Sequence, residues 1–412
     1  MEYGCIGERL IHSFSAQIHP KLFDYKYELK EIAEEDLDAF MKAKDFKAIN
    51  VTIPYKQAVI PYLDYIDDTA KKIGAVNTIV NKDGKLHGYN TDFSGLKALI
   101  KKAGIEIKDK KVLILGSGGT SKTAREVAEN LGAKSIFRLS RGKSEDCITY
   151  DEAYEKHTDA QIIINTTPKG MFPEIKGTAI DIDKFPCLLG VIDAVYNPLR
   201  SELVLKAREK GIKAEGGLYM LISQAAFAAE KFVGSKVSEE KINRIFKDML
   251  KDKENIVLIG MPSSGKTTVG KLLAQRLGRE FIDTDSEIVN VVGRSIPEIF
   301  SFMGEKTFRD IESNAIGVIA GRQGTVIATG GGAILRKENV ENLRKNGRLY
   351  FIDRPLDKLI TTSDRPLSSN RVDLQRRYNE RYSIYKSSCD FSVSGDRTPD
   401  EFANMIEEEF TK

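Results

Sequence analysis

Residues 260–267 read GMPSSGKT, an instance of GxxxxGKT that follows the apolar run 256–259. Glycines in such a loop let backbone N–H groups curl around phosphates, Lys266 neutralises the β and γ charges, and Thr267 offers a hydroxyl to Mg2+. The chemistry is phosphoryl transfer from ATP to a small anionic metabolite, with Ser263, Ser264, Gly265 and Thr268 completing the phosphate cradle. Downstream, FIDTD carries Asp283 and Asp285. Period-two alternation along an extended chain puts both on one side, one carboxylate for the magnesium shell and the other for the acceptor hydroxyl. ATGGG at 328–332 brings glycine backbone close to a small substrate. A second glycine cluster, Gly116, Ser117, Gly118, Gly119 and Thr120, follows the run VLIL at 112–115 and suits a dinucleotide pyrophosphate. The next strand-like run ends in SRGK, where Ser140, Arg141 and Lys143 stand in place of an acidic ribose reader. Cations there suit a 2′-phosphate, so NADP is expected over NAD.

Each glycine loop needs a strand before it and a helix behind it. Ala124, Val127, Ala128 and Leu131 repeat at helical spacing after the first, and Val269, Leu272, Leu273 and Leu277 after the second. Strand, loop and helix open a parallel α/β sheet, and two such units with different loop chemistry mean two nucleotide sites. At 412 residues the chain also exceeds what a single core of roughly 250–300 residues holds. The expected fold class is α/β throughout. An α/β substrate lobe spans 1–100, and a Rossmann NADP-binding lobe spans 101–240, with C-terminal helices returning to the substrate lobe. A linker at 241–254, with Ser238 as the N-cap of its helical stretch, leads to a P-loop domain at 255–412, similar to nucleoside-monophosphate kinases, with a parallel sheet.

Composition narrows the classes. Lys and Arg total 63 against 60 Asp and Glu, a net charge of +3 that offers nucleic acid no broad field. No stretch approaches the ~20 apolar residues of a membrane span, and the first residues show no export signal. Cys5, Cys147, Cys187 and Cys389 form no CxxC pair, and the four histidines show no HExxH spacing. A cytoplasmic protein of small-molecule substrates, with neither a disulfide framework nor a histidine metal centre, is expected.

From residue 255 onward the motifs GMPSSGKT, FIDTD, GEKTFRDIE, ATGGG, DRPL and RYSIY resemble shikimate kinase in order and type. The resemblance implies that Asp285, Arg309, the backbone of Gly330, Gly331 and Gly332, and Arg381 surround shikimate, with the two arginines on its carboxylate. It makes Arg365 the lid arginine over the ATP phosphates. Ser263 stands where the family usually has glycine, Ser383 where proline is common, and the lid between Arg365 and Arg381 is short.

Over about 1–240 the segments HSFS, INVTIPYK, IGAVNT, GYNTD, INTTPKGM, DAVYNP and GGLYMLISQAA resemble shikimate dehydrogenase. The resemblance implies Lys56 and Asp92 as the catalytic pair. It places Ser13, Ser15, Thr52, Asn77, Tyr196 and Gln224 on substrate, and Thr166 and Gly217 on the cofactor side. Ser140 replaces a common asparagine. Taken together, the two resemblances imply a bifunctional enzyme: NADPH reduces 3-dehydroshikimate to shikimate, and MgATP then phosphorylates it. Two alternatives stand beside this reading: a quinate-type dehydrogenase fused to a small-polyol kinase, or one half retained as a ligand sensor. Oligomeric state is not legible.

Overall fold

The structure, a computed structural model, describes residues 1–10, 14–142, 146–359 and 371–412. Ser13, Lys143 and Arg365 lie outside the described residues. The chain divides into two compact units, Met1–Asp248 and Met249–Lys412. Residues 241–254, read from the sequence as the linker, form most of a helix, Glu239–Lys253. Ser238 Oγ accepts from the Lys241 N–H at 3.2 Å at its start.

In the first unit, one sheet is built from β1 (Tyr3–Gly7), β2 (Tyr27–Glu31), β3 (Ala48–Val51), β4 (Tyr65–Ile66), β5 (Thr78–Lys82) and β6 (Lys85–Tyr89), in the order β2-β1-β3-β5-β6-β4. β2, β1 and β3 run parallel, whereas β5 is antiparallel to both β3 and β6. The antiparallel pair follows from its connection: Asn81, Lys82, Asp83, Gly84 and Lys85 turn the chain back within a hairpin, with Asp83 and Gly84 both at positive φ.

The other sheet of this unit contains β7 (Lys111–Leu115), β8 (Ser135–Ser140), β9 (Ile148–Thr149), β10 (Ile162–Asn165), β11 (Gly190–Asp193) and β12 (Lys213–Glu215). Its order is β12-β11-β10-β7-β8-β9, and every pairing is parallel. The runs VLIL, IIIN and GVID are buried without alternation, as a sheet covered on both faces requires. Leu115 is in register with both Leu139 and Asn165. The residues that follow each of them, Gly116, Ser140 and Thr166, therefore come off neighbouring carboxyl ends, where the strand order reverses and dinucleotides bind.

Helix Leu218–Val233 leaves this lobe and packs Ala228 and Phe232 into a core with Cys5, Tyr27, Ala48 and Val80 of the first sheet. It also lies against helix Thr91–Lys102, close enough that a Cβ on Gly95 would stand 2.8 Å from both the Met220 carbonyl oxygen and the Gln224 Cβ. That glycine is required by the approach of two backbones.

The same aromatic core encloses His19, fully buried, stacked on Tyr27 at 3.8 Å and bonded through Nδ1 to the Tyr25 hydroxyl at 2.6 Å. Burial lowers its pKa to about 3, partly opposed by the Asn50 side chain. The unfolded chain takes up this proton near pH 6.5, and the folded chain does not. Stability is therefore complete above pH 6.5 and declines below it, by up to about 1.4 kcal/mol per pH unit from this group. Urea unfolding of the full chain between pH 7 and 5 should show that decline, and a His19→Phe variant should flatten it. An identical slope in the variant would remove His19 as the cause.

The second unit holds β13 (Asn255–Ile259), β14 (Phe281–Asp283), β15 (Val326–Ala328), β16 (Gly347–Asp353) and β17 (Phe391–Ser394), all parallel, in the order β14-β15-β13-β16-β17. Apolar clusters cover both faces, one around Val257, Ile259, Phe351 and Tyr385, the other around Ile256, Leu258, Leu273 and Phe402. Ala328 is in register with Leu258 and with Asp283. The glycine loop, Asp283 and the ATGGG turn thereby lie at the carboxyl ends of three neighbouring strands. Among the described residues, no helix is long and apolar enough to cross a membrane.

Candidate active sites

A cavity of about 540 Å³ opens in the first unit, and Lys56, Asp92, Thr52, Asn77, Ser15, Tyr196, Gln224, Gly217 and Thr120 all line it. Lys56 comes from the turn after β3, and its carbonyl is tied to the Val76 N–H at 2.8 Å. Asp92 stands in the first turn of helix Thr91–Lys102, which Asn90 caps by accepting from the Phe93 N–H. Their side chains meet at 2.6 Å, both partly buried. Asn77 Oδ1 accepts from the Thr91 N–H at 2.8 Å, so the amide presents its Nδ2 donor to the cavity it lines. The motif INTT works at a distance from it, through DAVYN, whose Ala194 and Tyr196 line the cavity. Buried Asp193 accepts from Asn165 Nδ2 at 2.9 Å, from the Val195 N–H at 3.0 Å and from Ser201, which fixes the segment carrying Ala194 and Tyr196.

Burial raises the Tyr196 phenol, so it stays a neutral donor. Cys5 also lines the cavity, and burial pushes its thiol up to about 12, too high to form a thiolate nucleophile at neutral pH. Sequence reasoning missed Asn50, which accepts from the Tyr27 hydroxyl at 2.7 Å and lines the cavity. It stands within INVTIPYK, but its orientation is set by Tyr27, 23 residues away, and by the Asn77 carbonyl and Thr78 hydroxyl to which it donates.

At the neighbouring glycine loop, Gly118 caps helix Gly119–Asn130, and a Cβ on Gly118 or Gly119 would meet nothing within 4 Å. Open space before a helix N-terminus, with Ser117 beside it, fits a pyrophosphate. Gly116 sits at φ +112, close to the Thr166 hydroxyl, which donates to the Leu115 carbonyl at 2.6 Å. Gly217 has room for no side chain, since a Cβ would lie 2.2 Å from the Ala194 oxygen. Ser140 Oγ bonds the Gly142 carbonyl, and Arg141 is exposed. One cation was missed: Arg138 is buried in β8, its guanidinium 3.5 Å from the Ser117 carbonyl.

The second unit holds a cavity of about 560 Å³ lined by Ser263, Gly265, Lys266, Thr267, Thr268, Asp283, Asp285, Arg309, Gly330, Gly331, Gly332 and Arg381. Ser264 is not part of its wall; its side chain is buried behind the loop, near Gly260. Lys266 folds over its own loop, bonding the Gly260 and Met261 carbonyls at 2.9 and 2.8 Å. Thr267 Oγ1 donates to Asp283 Oδ2 at 2.8 Å. The expectation that strand alternation aligns Asp283 with Asp285 fails. β14 ends at Asp283, which caps helix Thr284–Val292 by accepting from the Asp285 and Ser286 N–H groups, and Asp285 enters the cavity from the first helical turn.

Arg309 bonds Glu312 at 2.7 Å and Glu305 at 3.3 Å, and its guanidinium lies on the Gly332 peptide, where a Cβ would be 2.2 Å from Nη1. Burial raises the pKa of Glu312 against the lowering effect of Arg309. Arg381 donates to the Gly331 carbonyl at 3.0 Å. The Thr267 hydroxyl and Asp283 carboxylate are hard oxygen donors, and among the described residues no group of three or more metal-binding side chains exists. Such a sparse oxygen set suits Mg2+ that takes its remaining ligands from water and phosphate.

Ser263 adopts φ +63, the left-handed region, at the point where the sequence departs from glycine. A Cβ there costs roughly 1–2 kcal/mol, and a glycine's extra unfolded-state freedom returns part of it. Ser263→Gly should therefore raise the stability of the second unit by about 0.5–1 kcal/mol in denaturant titration. A loss of stability would mean that the Ser263 side chain contributes more than its backbone costs.

Comparison with known proteins assigns both parts of the chain to families. A family model of shikimate kinase matches residues 262–411, and one of the shikimate dehydrogenase substrate binding domain matches residues 5–79. A shikimate dehydrogenase (NADP(+)) of Clostridium beijerinckii is 41% identical over 245 residues, covering 55% of this chain and 90% of the relative. The chain belongs to the shikimate dehydrogenase family. Attached to that part is a shikimate kinase domain. Among solved structures, a chorismate mutase/shikimate 5-dehydrogenase fusion protein from Clostridium acetobutylicum is similar to the dehydrogenase part. It has 35% identity and a TM-score of 0.57, covering 60% of this chain and 96% of that one. The shikimate 5-dehydrogenase of Thermus thermophilus, solved with NADP(H) and shikimate, matches with 26% identity and a TM-score of 0.55, covering 60% of this chain and 99% of that one.

Proposed function

We propose that the chain carries out two consecutive steps, the NADPH-dependent reduction of 3-dehydroshikimate to shikimate and the phosphorylation of shikimate to shikimate 3-phosphate with MgATP. The observation that carries the reading is the Lys56–Asp92 pair, 2.6 Å apart in a cavity whose walls also carry amides, hydroxyls and the cation Arg9. Those walls suit a polyhydroxylated acid. NADPH, when bound at the glycine loop, supplies the hydride. Lys56 then holds the ketone oxygen, stabilises the alkoxide charge that grows there and delivers its proton. Asp92 keeps the ammonium aimed and accepts a substrate hydroxyl. Arg141, with Lys143, meets the 2′-phosphate.

In the kinase domain Lys266 leaves the loop carbonyls for the β and γ phosphates, and Thr267 with Asp283 holds Mg2+, which neutralises phosphate charge when bound. Asp285 takes the proton of the attacking 3-hydroxyl. Arg309 and Arg381 grip the carboxylate, and Arg365 covers the phosphates. The free thiols of the described residues suit a reducing cytoplasm.

A mass-spectrometric time course with 3-dehydroshikimate, NADPH and MgATP tests the reading. Shikimate 3-phosphate should accumulate through shikimate. Arrest at shikimate would remove the kinase assignment, and failure to consume 3-dehydroshikimate while quinate is oxidised in a parallel assay with NADP+ would replace the substrate of the first step.

A further inference from the structure

We propose that Arg377 is a further acceptor-binding residue of the kinase domain, a third guanidinium that meets the acceptor's carboxylate beside Arg309 and Arg381. This rests on the proposed phosphorylation of a carboxylic acid and adds a residue to its recognition. Arg377 and Arg381 are one turn apart on helix Arg371–Ser388, hence on one face, and both line the 560 Å³ cavity. Their states differ. Arg381 is anchored on the Gly331 carbonyl, and Arg309 is held by Glu312 and Glu305. Arg377 is half-buried, its Nε is shut away from water without an acceptor, and it makes no hydrogen bond or ion pair among the described residues.

Asp373, one turn earlier on the helix, is bonded to Arg376 at 2.8 Å. Burial, and then the charge of Arg381, lower the pKa of Arg377, and the attraction of Glu305 opposes them. Glu305 is itself bonded to Arg309, and Arg309, Arg377 and Arg381 line the same cavity. Two like charges side by side, one of them partly dehydrated and unpaired, destabilise the empty domain. A carboxylate has lone pairs enough for donors from several sides, and its arrival relieves the repulsion. Arg377 thus favours binding of the acid while it weakens the ligand-free domain.

The test uses the full chain with Arg377→Gln and Arg377→Lys. The KM for shikimate should rise about tenfold in Arg377→Gln, as expected for one lost charged hydrogen bond, and recover in part in Arg377→Lys. The KM for ATP and kcat should stay within about twofold. The ligand-free kinase domain should melt at the same temperature or higher in Arg377→Gln. With the methyl ester of shikimate as acceptor, parent and variant should have equal KM, since the charge that Arg377 reads is gone. An unchanged KM for shikimate overturns the proposal, as does a variant that melts lower and loses affinity for both substrates together. A parent inactive on shikimate overturns the functional reading itself, and an active parent whose variant keeps its KM overturns only the role of Arg377.

Discussion

Lys56→Ala is expected to lower the turnover of 3-dehydroshikimate reduction by about 10²–10⁴-fold, the range that one positioned proton donor contributes. Phosphorylation of added shikimate should be untouched, because the kinase cavity has its own walls and its own nucleotide loop. The ammonium stands 2.6 Å from Asp92 and supplies both the positive charge and the proton that a ketone oxygen needs as it becomes an alcohol. A neutral side chain removes both at once. Binding should change less than turnover, since Asn77, Gln224, Thr52 and Ser15 remain in the wall. Stopped-flow loss of NADPH absorbance gives kcat and KM separately. A variant retaining more than a tenth of parental kcat would require a different proton donor, and Tyr196, a neutral phenol in the same cavity, would be the next candidate.

Asp285→Asn should remove phosphoryl transfer by a similar factor, about 10²–10⁴-fold, with ATP affinity preserved. The carboxylate lies against Gly330, where a Cβ would be 2.5 Å from its oxygen, and both line the kinase cavity. Asp283 acts elsewhere, since it caps a helix and bonds Thr267. Asp283→Asn should therefore weaken the Mg2+ dependence and lower domain stability, while Asp285→Asn should do neither. Isothermal titration with ATP and Mg2+, alongside the rate, separates the two. If Asp285→Asn weakens ATP binding as much as it slows transfer, the carboxylates have exchanged roles.

Backbone-encoded features were the readable ones. The two glycine loops announce themselves because strand, turn and helix are each written locally, and the buried runs VLIL and NIVLI fix parallel strands on either side of them. Side chains whose place depends on a distant partner were not. Arg377 and Arg138 belong to no motif, and their places show only once the helix Arg371–Ser388 and β8 are folded against their neighbours. Asn50 is held in the cavity wall by the Tyr27 hydroxyl, the Asn77 carbonyl and the Thr78 hydroxyl. The alternation argument for Asp283 and Asp285 failed because Asp283 stops the strand by capping the next helix. Ser264 fits the phosphate-loop pattern by position, yet its side chain turns inward, so only its backbone is available to phosphate.

Gly95 does not line the reductase cavity, yet it packs against two residues that do. A single methyl group there would press on the Met220 carbonyl and the Gln224 Cβ, and both residues line the reductase cavity. Close-packed helices do not absorb such a wedge without moving. The width of the cavity is therefore heritable at a position outside it, and selection for a bulkier or slimmer acid can act on the helix seam while leaving the proton donor and its carboxylate as they are.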